Sequence, residues 1–402
     1  MVNGELIMKK AYKRTEIGVI PVDWEVRKLG EIVDRFINGG TPSTQNSDFW
    51  KGNIPWITCA DILNQKVGEI RRYITKEAVK NSSTNVIKKG NLLLVTRTGV
   101  GKLAIAPFDI SISQDFTGIY VNELLANYLF FVFDFNKTEL QSQNQGTSIK
   151  GITRETLAET SIPLPPLPEQ KAIAEVLSDT DNLIQALEKR IAKKRLIKQG
   201  AMQKLLTPKE DWEVKKLGEI GECIIGLTYS PDNVRDSGKL VLRSSNIQGS
   251  VLRFDNNVFV DIQVPEKLIV KKNDILICVR NGSRDLIGKC ALIGGKAIGE
   301  TFGAFMSVFR SPFNEFVFIV FQSSLIKKQI DEHLGATINQ ITNKSLNSFE
   351  IPFPPKQEQT HIATILSDMD SEIEALEKKL AKYQLLKQGL MQNLLTGKIR
   401  LI

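Results

Sequence analysis

Residues 162–207 and 351–396 are one segment written twice. The first reads IPLPPLPEQKAIAEVLSDTDNLIQALEKRIAKKRLIKQGAMQKLLT and the second IPFPPKQEQTHIATILSDMDSEIEALEKKLAKYQLLKQGLMQNLLT. They align at a constant offset of 189 without a gap, and 28 of the 46 positions are identical. A second pair, DWEVRKLGEI at 23–32 and DWEVKKLGEI at 211–220, repeats at offset 188. Duplication of this kind marks a chain built from one repeated unit. The intervening segments, 33–150 and 221–340, share much less. What they share includes KKGNLLLVTRTG at 88–99 with KKNDILICVRNG at 271–282, and GTSIKGIT at 146–153 with GATINQIT at 335–342. The plan is two divergent modules held by two copies of one scaffold.

The shared segments are expected to be long helices. Each opens on a proline-rich strap (Pro163, Pro165, Pro166 and Pro168; Pro352, Pro354 and Pro355), which resists helix. After Glu169-Gln170 and Glu358-Gln359 the strong helix formers Ala, Leu, Glu, Lys and Gln dominate without proline. Apolar residues recur at heptad spacing, the seam of a coiled coil. In the second copy one row is Leu366, Ile373, Leu380 and Leu394, and the other is Met369, Leu376, Tyr383 and Leu390, with Lys387 as a break. The first copy has Leu177, Ile184, Ile191 and Leu205 against Thr180, Leu187, Lys194 and Ala201. About 36 helical residues would span about 55 Å, and the two copies can pair antiparallel. The alternative is that both are core helices of one globule.

In the modules, strand-like runs (IPWIT, NLLLV, AIAPFDISIS; KLVLR, DILICV, VFVDI) alternate with Gly, Asn and Asp turns, and helical stretches follow near 122–133 and 315–331. The expected fold is therefore α+β: two similar mixed domains separated by two long helices in an antiparallel coiled coil. The expected boundaries are 1–161 (first module), 162–208 (first helical spacer), 209–350 (second module) and 351–402 (second helical spacer and tail).

Composition narrows the function. A net charge of +8 favours polyanionic partners, nucleic acid first. Four scattered cysteines (Cys59, Cys223, Cys278 and Cys290) form no C-x-x-C pair, which fits a reducing cytoplasm rather than a disulfide or zinc scaffold. The start of the chain lacks the apolar core of a signal peptide, and the apolar run around 316–321 is too short to span a bilayer, so a soluble cytoplasmic protein is expected. No active site is legible. The two histidines, His333 and His361, lie in different modules. TGVGKL at 98–103 lacks the first Gly and the Ser/Thr of a phosphate-cradling loop, and reads as a turn between strands. Glu213-Val-Lys215 has nuclease-like spacing, but Arg27 interrupts the matching positions. There is no N-P-P-Y or D-P-P-Y run to hold an extruded adenine. No cofactor or metal is expected in this chain.

The candidate contacts are polar and cationic groups of the modules. In the first they are Arg71, Arg72, Arg97, Thr147, Ser148 and Lys150. In the second they are Arg243, Ser244, Asn246, Arg280, Arg284, Thr337, Asn339 and Gln340. Arg97 and Arg280 stand at equivalent strand ends, from which a guanidinium could fork onto guanine or a phosphate.

Taken together, IPVDWEVRKLGEI at 20–32, GGTPSTQNSDFWKGNIPWIT at 39–58, the IPLPPLPEQ and IPFPPKQEQ straps, the KQG-x-MQ-x-LLT helix ends and the closing GKIRLI resemble the specificity subunits of type I restriction–modification systems. The resemblance covers nearly the whole chain. It implies two target-recognition domains on an antiparallel helix pair with pseudo-twofold symmetry, a bipartite double-stranded DNA target, and no catalysis by this subunit. It also implies methyltransferase (M) subunits as partners and, where present, restriction (R) subunits, with S-adenosylmethionine, ATP and Mg held by those partners. Two other classes remain open on the residues alone: an enzyme with an unrecognised site, and a coiled-coil adaptor with no DNA role.

Overall fold

A computed structural model describes residues 12–142, 151–334 and 339–401. The chain forms two compact units. One comprises Met1–Glu188 with Lys378–Ile402, and the other Lys189–Glu377. Each therefore holds one α+β module, the beginning of one long helix and the end of the other.

The long helices are Leu167–Leu205 and Lys356–Leu394, each of 39 residues. The first begins inside the strap that was expected to exclude helix. Pro168 is its second residue, where the missing N–H is one that no helix satisfies internally. The front of each strap is a strand. Ser161–Leu164 pairs antiparallel with Glu25–Lys28, and Glu350–Phe353 with Glu213–Lys216. The two repeated sequence blocks thus pair with each other in both units.

Within each unit the two helix segments meet along the expected seam, and in the second they run antiparallel, with Lys194 opposite Glu372 and Lys198 opposite Asp370. Leu177 and Leu366 are fully buried, and Ile184, Leu187, Ile191 and Ile373 nearly so. Met369, Leu376, Leu380 and Tyr383 are half-buried, at the margin of the contact. The polar break in the heptads has a partner: Lys387 Nζ lies 2.7 Å from Asp181 Oδ1 in the first unit. The second unit repeats the pair between the same two repeat positions, with Lys198 Nζ 2.5 Å from Asp370 Oδ1. Lys194, a second break, pairs with Glu372 at 2.7 Å.

Each module contains two four-stranded sheets. In the first unit one sheet has the order Leu103–Ile105, Leu92–Val95, Phe116–Tyr120, Arg35–Asn38, all antiparallel. The other has the order Arg72–Ile74, Ile54–Ile57, Ile110–Ile112, Asn85–Ile87, with its middle pair parallel. The continuous apolar run Leu92–Val95 has a direct cause. Leu92 and Leu94 pack beneath the helix Glu123–Phe135, while Leu93 and Val95 face the second sheet through Ile57, Ile110 and Ile112. A strand covered on both faces cannot alternate polar and apolar residues. Ile275–Cys278 repeats this arrangement in the second unit, with Ile275 and Ile277 under the helix Asn314–Phe321 and Leu276 and Cys278 against the other sheet.

Module and long helix are joined by the same bond twice. Trp24 Nε1 donates to Glu169 Oε2 and Trp212 Nε1 to Glu358 Oε2, both at 2.9 Å. The neighbouring glutamines donate back to the straps, Gln170 to Pro165 O at 2.7 Å and Gln359 to Pro354 O at 2.8 Å. The recurrence of DW and EQ in the sequence is therefore a framework requirement.

Candidate nucleic-acid interface

The strand Leu92–Val95 ends at Thr96 and Arg97, whose N–H groups both donate to Asp115 O, at 2.8 and 3.2 Å. Ile152 N donates to Thr96 O at 2.8 Å, bringing the end of the 146–153 motif to the strand tip. Arg97 is exposed and lines a cleft of about 590 Å³ with Asn38, Gln114, Thr117, Thr153 and Arg154. Thr147, Ser148 and Lys150 lie outside the described residues.

The second unit builds the same corner. Val279 N and Arg280 N both donate to Phe305 O at 3.1 Å, and Ile341 N donates to Val279 O at 2.8 Å. Arg280 pairs in a single antiparallel bridge with Gln340. Asn281 Nδ2 donates to Ser244 Oγ, and Asn339 Nδ2 to Gly282 O, each at 3.1 Å. The structure thus collects Arg280, Ser244, Asn339 and Gln340 at one corner. Thr337 lies outside the described residues.

Other candidates have local duties. Arg71 Nε lies 2.6 Å from Asp61 Oδ1. Burial works to raise the Asp61 pKa, but hydrogen bonds from Arg71 and Thr58 outweigh it and hold the carboxyl below its usual value. Its stabilising contribution is therefore present above the ordinary carboxylate range and lost as pH falls through the depressed value. Arg72 lies over Trp56 and Trp50, 5.7 and 6.0 Å from the ring centroids. Arg243 Nη2 donates to Asn256, and Arg284 Nη2 to Asp331 O at 3.2 Å. Asn246 is almost fully buried; its Oδ1 accepts from Arg243 N at 3.0 Å and its Nδ2 donates to Arg253 O at 2.9 Å, so it holds a loop. Asp61 does the same in the first unit through Thr58 N at 2.8 Å.

Residues the sequence reading passed over stand at these corners: Arg154 in the Arg97 cleft, and Asn281 and Phe305 beside Arg280. The Asn281-Gly282 turn after an apolar strand was the available signal for Asn281. Nothing local in the sequence marks Arg154 or Phe305.

The geometry offers little for chemistry. Burial pushes the Cys223 and Cys290 thiols up to about 12, leaving them protonated. The apparent nuclease pair Glu213 and Lys215 is an exposed ion pair at 2.9 Å. Lys102 of the Gly-Lys turn donates to Cys59 O at 3.0 Å rather than facing an open cradle. Among the described residues no group of His, Cys, Asp and Glu could hold a metal ion, and no helix is long and apolar enough to cross a membrane.

Two units of one fold, with repeated framework bonds and divergent polar corners, define a tandem recognition protein. The chain belongs to the type I restriction modification DNA specificity domain family, whose model matches residues 21–195 and again 209–383. It is 32% identical to the putative type I restriction enzyme MjaX specificity subunit of Methanocaldococcus jannaschii, over 97% of this chain and 96% of that one. It is 28% identical to the MjaVIII specificity subunit of the same organism, over 95% and 94%. The S subunit from M. genitalium, a solved structure, aligns over 92% of this chain and 96% of its own with a TM-score of 0.60 at 16% identity, a likeness of fold. As a member of this family the chain is a DNA-recognition subunit and not an enzyme.

Proposed function

We propose that the chain reads a bipartite duplex site, one half-site per unit, and positions methyltransferase and restriction subunits that carry S-adenosylmethionine, ATP and Mg in the cytoplasm. The recognition domains are 1–161 and 209–350, and the helical segments are 162–208 and 351–402. One observation carries the reading. The framework groups Trp24 and Trp212, Glu169 and Glu358, and Lys198 and Lys387 recur pair by pair. The residues at the exposed corners beside Arg97 and Arg280 do not. A repeated scaffold under divergent corners suits two different half-sites.

A partner surface is supported by the long helices. Leu196 and Ile197 in one repeat, and Leu385 and Leu386 at the same positions of the other, are 46–69% exposed. Apolar pairs left in solvent on a charged helix suit burial against another subunit.

The purified chain should show no methyl transfer from S-adenosylmethionine to DNA until a methyltransferase subunit is added; turnover by the chain alone overturns the reading. With that partner, replacing residues 33–150 by the segment of a relative should change one half of the methylated motif. Change in both halves would show that the domains are not independent readers. At finer scale, Arg97→Ala or Arg280→Ala should cost about 1–3 kcal/mol of binding and relax one position if the arginine reads a base. Uniform weakening with a shallower salt dependence would instead assign it to a phosphate.

A further inference from the structure

We propose that Phe305 is a specificity-determining residue of the second unit, its ring contacting a thymine C5 methyl in the major groove beside the group taken by Arg280. The inference rests on the DNA-recognition reading above and adds one base preference to it.

Phe305 lies in the turn between Thr301–Phe302 and Met306–Arg310, closed by Met306 N donating to Gly303 O at 2.8 Å. The residue is 58% exposed, so core packing does not account for it. The turn is well held: Phe305 O accepts both Val279 N and Arg280 N, and Ala304 N donates to Leu227 O at 2.9 Å. The ring is therefore presented from strand ends rather than from a free loop. The Arg280 guanidinium lies over it, 5.1 Å from the centroid. A stacked guanidinium is oriented by the ring and keeps its N–H edge for an acceptor. Around this pair stand Ser244, Asn281 and Gln340, which can donate or accept.

An apolar spot bordered by donors matches the major-groove edge of a T·A pair, where the C5 methyl adjoins the O4 acceptor. The first unit differs at this point. Its equivalent turn places Asp115 at the position of Phe305, since Asp115 O accepts from Arg97 N as Phe305 O does from Arg280 N. The Asp115 carboxylate, which accepts from Ser113 Oγ at 3.1 Å, offers no apolar surface to a methyl group. The preference is therefore confined to the second half-site, and the first is an internal control.

The test uses the full chain with its methyltransferase partner and synthetic duplexes of the mapped motif, each second-half-site thymine replaced in turn by deoxyuridine. One replacement should weaken wild-type binding roughly fourfold, the effect of leaving one methyl-sized apolar group uncovered. Phe305→Ala should abolish that sensitivity and admit other base pairs there, with the first half-site unchanged. The proposal is overturned if no second-half-site thymine is sensitive in the wild type, a result that needs no variant. It is also overturned if the sensitivity survives Phe305→Ala, or if that substitution weakens every sequence equally. Failure of the DNA reading itself would appear differently, as no methylated motif at all.

Discussion

Arg400→Ala should destabilise the first unit by about 3–5 kcal/mol, the range for removing one partner of a buried charge pair. The Arg400 side chain is 4% exposed and that of Glu169 fully buried. Its guanidinium gives Nε to Glu169 Oε1 at 2.6 Å and Nη2 to Oε2 at 2.7 Å, and reaches Asp23 at 2.9 and 2.6 Å. These bonds, to Glu169 first and Asp23 second, raise the Arg400 pKa above its ordinary value, so the guanidinium stays protonated throughout the accessible pH range. Without the arginine, the Glu169 carboxylate keeps, among the described residues, Trp24 Nε1 and the Leu401 N–H at 3.3 Å. Adding Glu169→Gln should recover part of the loss, because it removes the uncompensated charge while leaving an oxygen for Trp24. Arg400→Lys should fall between, keeping charge but not the two-pronged geometry. Chemical denaturation of the single and double variants measures all three. Equal stability of Arg400→Ala and wild type would show that the tail is dispensable.

Reversing the charge of Lys387 should be nearly as damaging, at about 2–4 kcal/mol, because Lys387→Glu would face Asp181 and also Asp134, 3.5 Å from the lysine. The rescue is the informative part. Lys387→Glu with Asp181→Lys should regain more than half of the loss, less what Asp134 then lacks. Lys198→Glu with Asp370→Lys should behave alike in the second unit, where the Lys198 side chain is 14% exposed. A melting series of the four single and two double variants decides it. Absence of rescue in both units would mean that the lysines act through their aliphatic stems alone. A polar pair at an otherwise apolar seam weakens it slightly but penalises every misaligned register, where each charge would be buried alone.

Much of the architecture could be read directly. A gapless repeat of 46 residues requires two equivalent scaffolds, and heptad rows over so long a segment leave few alternatives to paired helices. Leu177, Ile184, Leu366 and Ile373 are buried where the periodicity placed them, because a heptad pattern depends only on local helical geometry. The apolar runs at 92–95 and 275–278 are strands covered on both faces. Membership of a family of DNA-specificity subunits follows from the same repeated blocks.

The tertiary structure decided what spacing cannot carry. Arg400 meets Glu169 and Asp23 across 231 and 377 residues, and no local pattern encodes such a pairing. Both straps turned out to begin as strands, because a partner strand from the DWEV block accepts prolines at an edge, and the first also runs into its helix at Pro168. Lys387, a defect in the heptad when read alone, became an interhelical ion pair once Asp181 was opposite. Among the candidate contacts, residue type alone could not separate Asn246, whose amide is spent inside its loop, from Arg280, whose guanidinium lies over the exposed Phe305 ring. Both are polar groups in turn-rich sequence. Whether such a group faces solvent or closes a loop depends on which backbone atoms the fold brings within about 3 Å of it, and that is set by contacts distant in the chain.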